Sequence, residues 1–151
     1  MVTVVIIGSV ALVCLLAVIL GRIGRGHLPH PHEGAAIGSA TQLADETIVF
    51  HNGWVLSYQL ADQSAAVKQR RRLTRQWRHQ IRLATAAITL VDADFGRHVE
   101  NATLLGYHMA HELIRASVDE DLEAVSTFLR LVGQLADELS EWLGARAHAA
   151  R

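Results

Sequence analysis

The sequence predicts an all-α protein in which one N-terminal transmembrane helix precedes a small antiparallel bundle of about three helices. Two observations carry this prediction. The run VTVVIIGSVALVCLLAVIL at 2–20 contains no charge, and as a helix it reaches about 28 Å, close to the thickness of a bilayer's hydrocarbon core. After about residue 56, apolar residues recur at steps of three and four, the spacing of amphipathic helices.

The first segment, residues 1–21, is expected to be an uncleaved anchor rather than a signal peptide. No Lys or Arg precedes the apolar run, and glycines and arginines follow it where a small-residue cleavage site would stand. Because Arg22 and Arg25 follow the run, the positive-inside bias places the N-terminus outside and the C-terminal domain in the cytoplasm. Small residues that would let another transmembrane helix approach closely are Gly8, Ala17 and Gly21.

Residues 22–39 are rich in glycine, proline and histidine and are expected to form an irregular linker that leaves the membrane. Its three histidines, His27, His30 and His32, are potential ligands of a transition metal. A solvated segment whose histidines bind nothing is the simpler interpretation.

Residues 40–55 allow two interpretations. Ser39 and Gln42 fit a capping box that opens a short helix, whereas the Asn52-Gly53 pair fits the tight turn of a β-hairpin. The aromatic residues of this region suit the membrane interface; they are Phe50, Trp54 and Tyr58. We therefore predict a short interfacial helix or hairpin here.

Residues 56–144 are expected to form the bundle, and 145–151 a disordered tail. The apolar face of the first helix is Leu73, Trp77, Ile81, Ala84, Ile88 and Val91. That of the second is Val99, Ala102, Gly106, Met109 and Leu113. The third begins with a capping box at Ser117 and Glu120 and ends at Gly144. Its heptad seam is Leu122, Val125, Leu129, Val132, Ala136, Leu139 and Leu143.

Charge is strongly segregated along the bundle. Five cations at steps of three and four form a basic stripe on the first helix: Lys68, Arg71, Arg75, Arg78 and Arg82. Residues 92–141 instead carry eleven acids and three arginines, a difference of −8. The stripe thus has three possible partners: acids of the same bundle or of another protein, anionic lipid headgroups, and nucleic acid, which is the least favoured because Trp77 belongs to the apolar face.

The best candidate for a chemical site is His108, His111 and Glu112 on the second helix. Their spacing places them on one side of the helix, where they are potential ligands of a divalent transition metal. That side is opposite the apolar face, however, and metal sites of helical bundles normally point inward. A solvated polar face, with Arg115 paired to Glu112, is the simpler interpretation. The sequence contains no P-loop, nucleophile elbow or zinc-finger spacing, so no catalytic residue and no cofactor is assigned.

These observations predict a non-catalytic accessory, assembly or scaffolding subunit of a larger membrane protein complex. Expected partners are other membrane-protein subunits or further copies of the chain, and membrane lipid. The alternatives are a membrane-tethered metal protein and a tethered binder of anionic lipid or nucleic acid through residues 68–82. The single cysteine, Cys14, lies in the apolar run, so no disulfide framework is implied.

Overall fold

Four helices follow one another in the computed structural model, which describes residues 31–116 and 121–149. They are α1, Pro31–Ser57; α2, Gln63–Val91; α3, Ala93–Arg115; and α4, Leu122–Ala149. No strand occurs in these ranges. Each helix packs closely against the helices next to it in the chain, and α1 also packs against α4, whereas the backbones of the diagonal pairs do not approach each other closely in these residues. The arrangement is therefore a four-helix bundle of antiparallel neighbours, which is an all-helical fold with one more helix than the sequence predicts.

The additional helix, α1, replaces both the end of the predicted linker and the predicted short helix or hairpin at 40–55. Pro31 stands at its first position, where the fixed φ of proline suits a helix and the missing N–H costs nothing. Gly34 and Gly38 lie within it, and no atom of the described residues packs within 4 Å of where their Cβ atoms would be. The glycine content that indicated a linker is therefore tolerated, since tertiary packing stabilises the helix.

An aromatic cluster at the centre of the bundle shows why α1 is helical. The Phe50 and Trp77 rings stack at 4.3 Å, and Trp54 lies 4.6 Å from Phe128. Trp54 and Phe128 are fully buried, and Phe50 and Trp77 are 1% exposed. The cluster joins α1, α2 and α4, so the prediction that Phe50 and Trp54 lie in the membrane interface is wrong.

Aspartates cap three of the helices. The Asp62 carboxylate accepts the Ser64 and Ala65 amides at the start of α2, and Asp121 accepts those of Glu123 and Ala124 at the start of α4. Short polar side chains at this position satisfy amides that have no partner within the helix. The predicted cap at Ser117 lies outside the described residues.

The turn between α2 and α3 consists of Asp92 alone. Its amide donates to the Ile88 carbonyl at 2.8 Å, and its carboxylate accepts the Phe95 amide at 3.0 Å. One residue thus ends α2 and begins α3. The turn brings the two backbones so close that a Cβ at position 96 would lie 2.7 Å from the Thr89 Cα, which is why glycine occupies it.

The predicted apolar faces agree with the structure to different degrees. On α2 the members of the predicted apolar face from Leu73 to Ile88 are buried as expected, and Val91, its last member, is half-buried. On α3 the buried face is rotated, because Thr103, Ala110 and Ile114 are buried whereas Met109 is half-buried. Threonine and alanine carry little hydropathic signal, so the buried face of α3 is not the most apolar one in the sequence.

The seam of α4 packs into its own bundle. Val125, Val132, Ala136 and Leu139 are buried, together with Phe128 and Leu135. Leu122, the first residue of the predicted seam, is 74% exposed. The helix also continues past the predicted stop at Gly144 to Ala149, because side chains near its end are bonded to other helices, as described below.

None of the helices in residues 31–116 and 121–149 is both long and apolar enough to span a bilayer. The predicted anchor at 1–21, with Gly8, Ala17 and Gly21, lies outside these ranges, as do His27 and His30.

Candidate basic interface

The basic stripe lies on the solvent-facing side of α2. All five of its members are exposed, and α2 contains no acidic residue. The opposite side of the same helix is the buried apolar face that contacts the aromatic cluster. The helix therefore separates its two functions by side, with packing inward and positive charge outward.

No stripe residue forms an ion pair with the acids in the described part of the chain. The pairs there are Arg97 with Asp94, His98 with Glu138, Arg115 with Glu112, and Arg146 with both Glu33 and Asp92. The acids of α3 and α4 thus pair elsewhere or face solvent. Pairing within the bundle, one of the interpretations that the sequence allows, is not seen in these residues.

The stripe forms one wall of an open groove between α2 and α3. At one end Arg71 and Arg75 face His111 and Arg115 across a volume of about 570 Å³. A second part of the groove, with a volume of about 350 Å³, lies further along, between Arg78 and Arg82 on α2 and a wall of α3 residues. That wall includes Glu100, Leu104 and Tyr107.

Hydrogen bonds hold the middle of this groove in place. Arg78 Nη1 donates to the Tyr107 hydroxyl at 3.0 Å, and its guanidinium lies 4.8 Å from the Tyr107 ring. The same hydroxyl is 2.8 Å from His111 Nε2. Arg78, Tyr107 and His111 therefore form a connected polar row that links the two walls.

Arg70, although adjacent to the stripe in sequence, belongs to the interior. It is 3% exposed, donates from Nε to the Ser57 hydroxyl at 2.7 Å, and lies 3.7 Å from the Tyr58 ring. A guanidinium is weakly hydrated and stacks well on aromatic faces, which suits it to this position. Of the seven basic residues between positions 68 and 82, this one stabilises the bundle rather than contributing to the outer surface.

Most of the stripe is far from the end of the bundle at which α1 begins. Gln69 donates to the Gly53 carbonyl, and Trp77 donates to the Thr47 hydroxyl. Gly53 and Thr47 lie about 33 Å and 24 Å along α1 from Pro31, at about 1.5 Å per helical residue. The cations near Gln69 thus lie close to the far end of the bundle.

The three candidate metal ligands on α3 are all exposed, as their position opposite the apolar face predicts. His111 is bonded to Tyr107, and Glu112 pairs with Arg115 at 3.6 Å. Within the described ranges, no group of three or more His, Cys, Asp or Glu side chains is close enough together to hold a metal ion. His108, His111 and Glu112 are thus not brought to a common point there.

A second charged cluster, which the sequence does not reveal, closes the end of the bundle where α1 begins. Asp92 Oδ2 accepts from Trp142 Nε1 at 3.0 Å and from Arg146 Nη2 at 3.3 Å. Arg146 Nη1 donates to Glu33 at 3.4 Å. The Trp142 hydrogen bond, followed by the Phe95 amide and then by Arg146, lowers the pKa of Asp92 below its ordinary value although partial burial opposes this.

This end network joins α1, the α2–α3 turn and α4. Trp142 also stacks on Phe95 at 5.2 Å, and Arg146 lies 4.4 Å from the Trp142 ring. These contacts stabilise the end of α4, so residues 145–149 are helical although the sequence predicts a disordered tail at 145–151. The spacing of Trp142 and Arg146 places them on one side of a helix, but nothing in the sequence points to Asp92 or Glu33 as their partners.

Comparisons of the chain with models of protein families, with curated protein sequences and with solved structures found no match.

Proposed function

We propose that this chain is a non-catalytic accessory, assembly or scaffolding subunit of a larger membrane protein complex. Its uncharged N-terminal run anchors it, and its four-helix bundle lies in the cytoplasm, where it contacts other subunits. The observation that carries the proposal is the basic stripe. Five exposed cations on one rigid helix have no acidic partner in the described residues, which is the pattern of a surface that binds something outside the bundle.

The anchor is supported by the physical length of the apolar run and the absence of charge in it. The cytoplasmic location is supported by Arg22 and Arg25 just after it. A chain tethered in this way needs little intrinsic affinity, since its partner in the same membrane is already at a high effective concentration. Weak, charge-directed contacts of the kind that the stripe offers are then sufficient.

The proposal is tested by purifying the full chain, tagged at its C-terminus, from its native membrane in a gentle detergent. Mass spectrometry identifies the proteins that co-elute, and metal analysis is done on the same fraction. We expect defined membrane-protein partners at fixed stoichiometry.

Two results would contradict the proposal. A lone chain or a homo-oligomer that carries stoichiometric metal, lost in a His108→Ala variant, would indicate a metal protein instead. Recovery of the chain in the soluble fraction with its N-terminal segment intact would exclude the anchor and with it the role in a membrane complex.

A further inference from the structure

We propose that the groove between α2 and α3 binds an acidic helix of a protein partner. This inference rests on the proposed role as a subunit of a complex and specifies where and by what chemistry the bundle contacts its partner. The groove is the surface lined by the last four cations of the stripe on α2 and by Arg115, His111, Tyr107 and Leu104 on α3.

The length of the groove suits a helix of about four turns. It extends from Arg71 to Thr85 along α2, which corresponds to about 21 Å or roughly four helical turns. Its two parts adjoin where Arg78 donates to the Tyr107 hydroxyl across the groove, so an occupant that spans both parts would lie over this contact. A partner segment of this length is typical of an amphipathic helix that docks in a groove.

The charge pattern specifies the face of the partner. The cations recur at steps of three and four, so carboxylates at the same steps on a second helix would meet them in register. Arginine binds carboxylates through two parallel hydrogen bonds, and Arg71, Arg75 and Arg82 form no ion pair in the described residues. Leu104, which is 50% exposed on the opposite wall, offers a contact for an aliphatic side chain.

Nucleic acid suits this surface less well. The Tyr107 ring already contacts Arg78 on its face and His111 at its edge, so it offers no free platform for a base. Trp77, the other aromatic residue of this region, is 1% exposed.

A bilayer surface also suits it less well than a helix. Arg71 and Arg78 line the groove beside α3, where an inserted helix would contact them from the side as well as from above. A second copy of the chain could offer the outer face of α4, which bears Glu123, Asp137 and Glu141. The exposed Arg130 interrupts this acidic face, so it matches the row of cations less well than a helix with carboxylates alone.

Direct binding to a defined probe tests this inference. The full chain, held in nanodiscs of zwitterionic lipid, is titrated into a labelled helical peptide with glutamates at steps of three and four on one face and leucines beside them. The matched peptide carries glutamine at the same positions. Fluorescence anisotropy is read at low and at high salt, and duplex DNA and phosphatidylserine vesicles are tested in parallel.

Two double variants distinguish binding in the groove from a general effect of net charge. Arg71→Glu with Arg75→Glu reverses two charges in the groove. Arg97→Glu with Arg130→Glu reverses two exposed arginines elsewhere, so the two double variants have the same net charge. Circular dichroism confirms that both remain helical, and Arg71→Gln with Arg75→Gln is the milder variant if the first does not fold.

We expect saturable, salt-sensitive binding of the glutamate peptide, about tenfold or more weaker in the groove variant and nearly unchanged in the control variant. Equal binding of the glutamine peptide, or equal loss in both variants, would overturn the inference. So would binding of DNA, of the anionic vesicles or of a second copy of the chain without binding of the peptide.

The failure of this inference is distinguishable from failure of the proposed function. If the groove variant co-purifies from native membranes with the same partners at the same stoichiometry as the wild type, the groove is not the contact but the chain is still a subunit. If the wild-type chain itself co-purifies with no partner, the proposed function fails.

Discussion

The end network and the basic stripe are two charged regions of one bundle with opposite arrangements. In the end network, Asp92 and Arg146 are 31% and 23% exposed at their side chains, and each has partners on another helix. In the stripe, the cations are exposed on a single helix and have no carboxylate partner in the described residues. The first region joins three elements of the bundle through ion pairs and hydrogen bonds, whereas the stripe contacts a neighbouring helix through the hydrogen bond from Arg78 to Tyr107 and forms no ion pair in the described residues.

The two regions differ in what their charges do for the fold. A partly buried ion that accepts several hydrogen bonds stabilises the fold, and removing it leaves its donors without partners. Exposed cations contribute little to the fold, because water already solvates them. They are therefore free to bind an external anion.

The largest effect is expected for Asp92→Ala. This change removes the cap of α3 and the acceptor of the Trp142 and Arg146 donors, so we expect the free energy of unfolding to fall by about 2–3 kcal/mol. Chemical denaturation of the full chain in mild detergent, followed by circular dichroism, measures it. Asp94→Ala is the matched control, since Asp94 has one exposed ion pair and should change the same quantity by less than about 0.5 kcal/mol. Equal losses would show that Asp92 has no special role.

The next largest change in the free energy of unfolding is expected on the buried side of α2, the helix that carries the stripe. Thr47→Val preserves shape but removes the acceptor of the buried Trp77 Nε1 donor, which is 3.0 Å from the Thr47 hydroxyl. We expect a loss of about 1–2 kcal/mol in the free energy of unfolding, the cost of a buried donor left without a partner. Thr85→Val is the control, because the Thr85 hydroxyl bonds only to the carbonyl of Ile81 in its own helix. A Thr47 variant as stable as the Thr85 variant would contradict this expectation.

A smaller effect is expected from pH. The pKa of Asp92 is lowered in the folded chain, so its contribution to stability is complete above the pKa of the unfolded chain, about 3.9. The contribution is lost as pH falls through the lower pKa of the folded state. Asp92→Asn keeps a capping side chain but lacks the charge. Its deficit in free energy of unfolding relative to wild type should therefore be constant near neutral pH and shrink below about pH 4. A deficit independent of pH would show that the charge is not involved.

The smallest effect is expected where the stripe is neutralised. Arg71→Gln with Arg75→Gln should change the free energy of unfolding by no more than about 0.5 kcal/mol, and relief of like-charge repulsion along α2 favours a small increase. The same denaturation measurement, made at low and high salt, checks this. A loss comparable to that of Asp92→Ala would remove the distinction between the two regions and assign the stripe a structural role.

Prediction from the sequence succeeded where one strongly apolar face repeats and failed where the buried face is weak. The face of α2 from Leu73 to Ile88 was predicted and is buried. A short helix was one of the two interpretations of residues 40–55, but the full length of α1 was not predicted, since its inward face includes small residues such as Ala36 and Ala40 while Ile48 and Val49 point outward. Hydropathy is then similar on both sides, and periodicity gives no signal.

The basic stripe and the end network also differ in how far the sequence predicts them. The basic stripe is visible in the sequence because all of its members lie on one helix at regular steps. The end network is not, because Glu33, Asp92, Trp142 and Arg146 come from three distant segments, and only packing brings them together.

By itself, the sequence determined the helical class, the charge-free N-terminal run and the outward row of cations on α2, because each follows from local composition and helical spacing. The three-dimensional structure was needed to show that residues 31–57 are one helix, that Phe50 and Trp54 belong to the core, and that α4 continues past Gly144 to Ala149. These outcomes depend on contacts between helices. The energy of burying a ring or pairing a charge comes from residues that are remote in sequence, and local patterns do not contain it.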